Sequence, residues 1–162
     1  MKSTDIELKP VPITSGDLFV SLMNKTYARK KTLEYFRWQF FGSPLKTVLM
    51  GAFLRDRLIG CFGLQCRRLN NDLTAGQAID LIVDEEFRRQ GIFSRLGKAA
   101  TDYFKDSPDF YFSLPNASGR EALEGSLGYK TVLLIKTLEL DTRKVEIKGP
   151  LGCLNSILKF FQ

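Results

Sequence analysis

The stretch Asp84-Glu85-Glu86-Phe87-Arg88-Arg89-Gln90-Gly91-Ile92-Phe93-Ser94 decides how this chain is read. A strand-like apolar run, Ala78-Ile79-Asp80-Leu81-Ile82-Val83, leads into it. Apolar Leu96, Ala99, Ala100 and Phe104 follow at helical spacing, which predicts a helix over 94–104. A strand, a basic glycine-containing turn and a helix start together make an anion site. The first N–H groups of a helix have no partner within it, and the positive end of its dipole faces the same spot. Gly91 lets the backbone approach a phosphate closely, and Arg88 and Arg89 add charge beside it.

Working outward, 6–11 reads as a short strand broken by Pro10 and Pro12, and Ser15-Gly16-Asp17 offers caps for a helix carrying Leu18, Leu22 and Tyr27. Thr32 caps a second helix to Phe41, stopped by Gly42 and Pro44. Leu33, Phe36, Trp38 and Phe40 make that helix apolar over most of its surface, so it is expected to be largely covered. A β-meander follows: strands over 47–55, 58–69 and 74–83, joined by Arg55-Asp56-Arg57 and Asn70-Asn71-Asp72. Beyond the basic loop, 109–114 reads as a short buried strand, ended by Pro115-Asn116. Ser118 then caps a helix to about Leu127, which Gly128-Tyr129 closes. Residues 129–140 are strand-like, and Leu151, Leu154, Ile157, Leu158 and Phe161 give an amphipathic helical tail.

Composition narrows the chemistry. A chain of 162 residues, 44% hydrophobic and 26% charged, suits one globular domain with a full core. There is no His, which excludes a Ser-His-Asp triad, a Cys-His dyad and any His-ligated zinc. Cys61, Cys66 and Cys153 are odd in number, lack metal spacing and read as reduced core thiols. No apolar stretch is long enough to span a bilayer and no signal-peptide core follows Met1, so the expected compartment is the cytoplasm. The net charge of +6 is spread over short groups such as Arg67-Arg68 and Arg88-Arg89. That pattern suits attraction of an anionic co-substrate better than nucleic-acid binding.

The basic loop resembles the pyrophosphate loop of the GNAT superfamily of acyl-CoA N-acyltransferases, Arg/Gln-x-x-Gly-x-Gly/Ala. Here it reads Arg88-Arg89-Gln90-Gly91-Ile92-Phe93, with a bulky Phe93 where the family has a small residue. Leu114-Pro115-Asn116-Ala117-Ser118 resembles the strand-to-helix segment where the family's Asn meets CoA, and Leu127-Gly128-Tyr129 the Leu-Gly-aromatic closing the next helix. The three motifs come in the family's order, as do the elements over 6–140. The resemblance implies an α/β (α+β) fold: a central, mostly antiparallel mixed sheet flanked by helices. It implies one GNAT-type domain over 1–162, with its core at 6–140 and a C-terminal tail at 141–162. The family's last strand has no evident counterpart; either 145–148 substitutes for it or the chain is a truncated relative.

The resemblance further implies an acyl-CoA-dependent N-acyltransferase that moves an acetyl group from acetyl-CoA, as co-substrate, to a primary amine in a direct ternary complex without metal. The CoA-binding groups would be the backbone of Leu81, Ile82 and Val83, the loop residues Arg88, Arg89, Gln90, Gly91, Ile92, Phe93 and Ser94, and Asn116. Tyr35 and Trp38, with Arg37, lie on the helix that commonly borders the family's acceptor pocket, and an aromatic wall there suits an amino sugar. The oligomeric state stays open, a dimer included. A non-catalytic acyl-CoA-binding module of the same fold is the second reading.

Amine transfer needs a base, because an alkylamine of pKa ~10.4 is almost wholly protonated at neutral pH. Asp80 is the outstanding carboxylate: a charge inside an apolar strand needs a role or a partner. It is read either as the general base, direct or through water, or as an ion-pair partner for Arg67 or Arg68. Asp84 and Glu85 are expected in a solvated turn. The family's usual acid, a Tyr in a Tyr-x-x-x-Gly pattern, is replaced by Glu124. Water could protonate a thiolate of reference pKa about 8.5; Tyr129 or Tyr111 either substitutes or packs in the core.

Overall fold

Alternation along three long strands builds the centre of the protein. The computed structural model describes residues 5–27, 30–69, 73–104 and 108–133. Residues 1–131 form one unit and 132–162 a second, and every element below lies in the first. β2 (Thr47–Leu54), β3 (Arg57–Arg68) and β4 (Thr74–Val83) form an antiparallel meander. β1 (Ile6–Pro10) pairs antiparallel with β2, and β5 (Phe110–Ser113) pairs parallel with β4, giving the order β1-β2-β3-β4-β5. Successive side chains leave a strand on opposite faces. Val48, Met50 and Ala52 of β2 thus join one apolar cluster, and Leu49 and Phe53 the other. Both faces are covered, which is why β2 and β3 read as nearly continuous apolar runs.

The helix α3 (Ile92–Tyr103) covers the first face with Ile92, Leu96 and Ala100. Against it lies α4 (Ala117–Leu127); a Cβ at Gly97 would come within 2.4 Å of Leu127 Cδ1, so a larger residue there would make the Leu127 side chain shift. α1 (Gly16–Thr26) and α2 (Leu33–Phe41) cover the other face. There Phe19, Phe36 and Phe40 meet with ring centroids between 5.2 and 5.8 Å apart.

Several boundaries differ from the sequence expectation. The helix predicted from Ser94 begins at Ile92, because Gly91, at φ 71°, makes the left-handed turn that serves as its N-cap. Asn116, not Ser118, caps α4: its Oδ1 accepts from Gly119 N at 2.9 Å, while Ser118 Oγ donates to the same oxygen. α2 is not largely covered. It buries one stripe, Phe36, Gln39 and Phe40, and leaves Trp38 62% exposed and Phe41 46%. β5 is shorter than 109–114 and only partly buried. The predicted turn at 70–72 lies outside the described residues, as do 134–140 of the predicted strand, 145–148, the helical tail and Cys153. Residues 129–133 form no helix or strand. Cys61 and Cys66 are buried free thiols, as expected.

Candidate active site

The site begins where β4 and β5 part. Their pairing runs from Ala75 opposite Phe110 to Ala78 opposite Ser113, and Ser113 Oγ donates to Ala78 O at 3.0 Å beside that last pair. Just beyond, the register of β4 against β3 slips: Ile79 faces Gly63, yet Ile82 faces Cys61. The extra residue makes a bulge. Asp80 sits in it at φ 48°, a conformation Asp adopts more readily than most residues.

Past the bulge, one edge of β4 has no strand beside it among the described residues. Asp84 N donates to Ile59 O of β3 at 2.8 Å. Backbone direction alternates along a strand, so Leu81 and Val83 turn their polar groups to the open edge while Ile82 stays in the β3 ladder. Two contacts agree with this: Tyr27 OH donates to Leu81 O at 3.3 Å and Arg88 Nε to Val83 O at 3.1 Å.

That open edge runs into the basic loop. The opening bond of α3 runs from Arg95 N to Gly91 O at 3.1 Å, which leaves the Ile92, Phe93 and Ser94 amides without helical partners. Arg89 and Gly91 both have positive φ, and a Cβ at Gly91 would meet nothing within 4 Å. Gly91 is therefore required by conformation rather than by crowding. Phe93 turns into the core, its ring 5.8 Å from that of Phe62, so its bulk does not fill the phosphate side of the loop. Arg88 is divided between the Val83 carbonyl and Glu85, whose carboxylate lies at 3.5 Å.

The other end of the edge opens on a cavity of about 440 Å³ whose walls include Tyr27, Lys31, Tyr35, Gln77, Asp80 and Asn116. Asp80 Oδ2 accepts from Tyr35 OH at 2.7 Å, and Lys31 Nζ lies 3.6 Å from Oδ1. The pairing of Asp80 with Arg67 or Arg68 is not formed: Arg67 Nε donates to Gln77 instead. Burial, then the Asp80 charge, holds the Tyr27 phenol above its usual range. Beneath the bulge Cys61 Sγ lies 3.5 Å from Asp80 O, and burial, reinforced by Asp80, pushes that thiol well up. Tyr35 lines the cavity, while Trp38 and Arg37 on the same helix face solvent. Sequence reasoning missed Tyr27 and Lys31; their only signal was their place beside the first two helices.

Asp84 is not in a solvated turn. It is 2% exposed, caps the short 3-10 turn Glu85–Phe87, and accepts from Lys25 Nζ at 2.9 Å and Arg57 at 2.7 Å. Burial pushes its pKa up, but those hydrogen bonds and the one from Glu86 N outweigh it, and the net shift is downward. A carboxyl whose folded pKa is depressed adds stability that is present above its unfolded value, ~3.9, and is lost as pH falls through the folded value. Asp84→Asn should lower the unfolding free energy by on the order of 2 kcal/mol, since Lys25 and Arg57 are half exposed and regain water. Urea titration should show that difference at pH 7 and show it shrinking below about pH 4.

Glu124 is exposed and accepts from Thr131 Oγ1. Burial, then Tyr111, pushes the Tyr129 phenol up to about 12, and burial raises that of Tyr111. Both rings pack against the core. Glu124→Ala and Tyr129→Phe should each leave turnover within a few-fold, because removing a general acid would cost roughly a hundredfold or more. A fall of that size for Tyr129→Phe in steady-state kinetics would identify it as the acid.

Comparison with known proteins fits this geometry. No curated protein sequence matches the chain. Among solved structures, it is similar to glucosamine-6-phosphate N-acetyltransferase from Arabidopsis thaliana (14% identity, 84% of this chain and 99% of that one, TM-score 0.69). It is also similar to ribosomal-protein-alanine N-acetyltransferase from Brucella melitensis biovar Abortus 2308 (15%, 83% and 99%, TM-score 0.67). A third likeness is AAC(6')-Iy in complex with the bisubstrate analogue CoA-S-monomethyl-acetylneamine (12%, 83% and 97%, TM-score 0.67). These likenesses concern the fold. The family pattern described as "Acetyltransferase (GNAT) family" matches residues 17–125, from the start of α1 into α4. With two-thirds of its length matched, the chain belongs to the GNAT acetyltransferase family.

Proposed function

We propose that this protein transfers an acetyl group from acetyl-CoA to a primary amine in a direct ternary complex, as a single domain over 1–162. One observation carries the reading: the edge of β4, with no strand beside it among the described residues, joins the start of α3 to a cavity holding a carboxylate. CoA pyrophosphate would take the Ile92, Phe93 and Ser94 amides, with Arg89 beside them. The pantetheine would lie along the Leu81 and Val83 edge, whose N–H groups can also hold the developing oxyanion. Asn116 would meet it with its amide nitrogen, since its Oδ1 is spent on capping α4. Asp80 would draw in the ammonium and accept its proton, directly or through water. The freed amine nitrogen then bonds to the carbonyl carbon as the carbon–sulfur bond breaks, and the second proton that nitrogen sheds passes through water to the thiolate.

Titration with acetyl-CoA by calorimetry, followed by a screen of primary amines, tests this reading. Saturable binding with turnover of at least one amine supports it. Binding without hydrolysis or transfer to any amine would favour a regulatory acyl-CoA-binding module. One feature favours that second reading: Tyr35 and Lys31 already attend the Asp80 carboxylate.

A further inference from the structure

Lys31 brings an ammonium into the cavity wall, and its backbone is clamped there. Lys31 N donates to Asn24 Oδ1 at 2.6 Å, and Asn24 Nδ2 donates to Lys31 O at 2.9 Å. Asn24 lies in the last turn of α1, so the helix end fixes where Lys31 starts. Its side chain is 22% exposed, with Nζ 3.5 Å from the centroid of the Tyr35 ring and 3.6 Å from Asp80 Oδ1. Neither contact is a hydrogen bond, and Nζ makes none among the described residues. An ammonium has three N–H donors. Ion-paired with Asp80 and yet with no hydrogen bond from its donors among the described residues, it can offer them to an acceptor on a ligand. Asp80 and Lys31 are the charged residues lining this cavity among those described. Opposite charges side by side match a molecule carrying both signs, and suit a polycationic amine poorly.

We propose that the acceptor is an amine that also bears a carboxylate or phosphate, with Lys31 receiving the anion while Asp80 receives the ammonium. This rests on the transferase reading above, and the test separates the two. Two matched pairs, an α-amino acid with its amide and glucosamine 6-phosphate with glucosamine, are offered with acetyl-CoA to the wild type, Lys31→Gln and Lys31→Arg. The same four compounds are titrated by calorimetry in the presence of CoA. The wild type should favour the anionic member of at least one pair by tenfold or more in kcat/KM and in affinity. Which pair responds tells carboxylate from phosphate. Lys31→Gln should bring that ratio close to one, mainly through KM, and Lys31→Arg should restore much of it.

No preference in the wild type, or a preference that survives in Lys31→Gln, would overturn the proposal. So would a fall in acetyl-CoA affinity as large as the fall in acceptor affinity, which would give the ammonium to the co-substrate. Lys31-dependent binding of the anionic compound without turnover would uphold the anion site and sink the transferase reading. Turnover that ignores the anion would do the reverse.

Discussion

Asp80→Asn is expected to lower turnover by roughly a hundredfold or more while acetyl-CoA affinity stays near that of the wild type. The substitution is unusually clean at this position. Asn tolerates the left-handed backbone of the bulge as well as Asp does, and can still accept the hydrogen bond from Tyr35. What it removes is the capacity to take a proton and the charge facing Lys31. Steady-state kinetics against calorimetric affinity reads the outcome. Normal turnover per folded molecule, with a lowered denaturation midpoint, would make Asp80 a structural partner of Lys31 and Tyr35 only.

Arg88→Glu is expected to weaken CoA binding by well over tenfold, a loss exceeding about 1.4 kcal/mol. Two effects combine. A negative charge would be set beside amides arranged for an anion. The anchor from Nε to the Val83 carbonyl would also be lost, freeing the loop from the end of β4. Arg88→Gln, which can keep a donor but not the charge, should fall in between. Unchanged calorimetric affinity in a folded Arg88→Glu would remove this loop from the CoA site.

The course of the fold was legible because its signals are local. Apolar strand runs, the caps at Thr32 and Gly128, and the basic loop each show within a dozen residues. The cofactor side of the site shared that legibility, since a helix start and a glycine turn are sequential features. The acceptor side did not. Asp80 could be singled out as a charge in an apolar run, but its partners Tyr35 and Lys31 come from 45 and 49 positions earlier and meet it only through packing. Asp84 misled for a related reason. Beside Glu85 and Glu86 it looks like one more surface acid, and Lys25 and Arg57, brought in by α1 and the start of β3, help make its burial tolerable. Trp38 misled in the opposite sense: an aromatic on a helix next to a cavity looked like a wall, yet its ring, 6.1 Å from that of Tyr35, stays 62% exposed and is not among the residues lining the cavity.

The thiol beneath the bulge turns the protein into its own sensor of motion. Cys61 is fully enclosed, lies against the carbonyl of Asp80, and is kept uncharged by its surroundings. An alkylating reagent needs the thiolate and a path to it. Modification there must wait for β3 and β4 to separate locally, so its rate reports how often the strand carrying Asp80 breathes. A ligand that seats against that strand would slow the clock, and a ligand that binds elsewhere would leave it running.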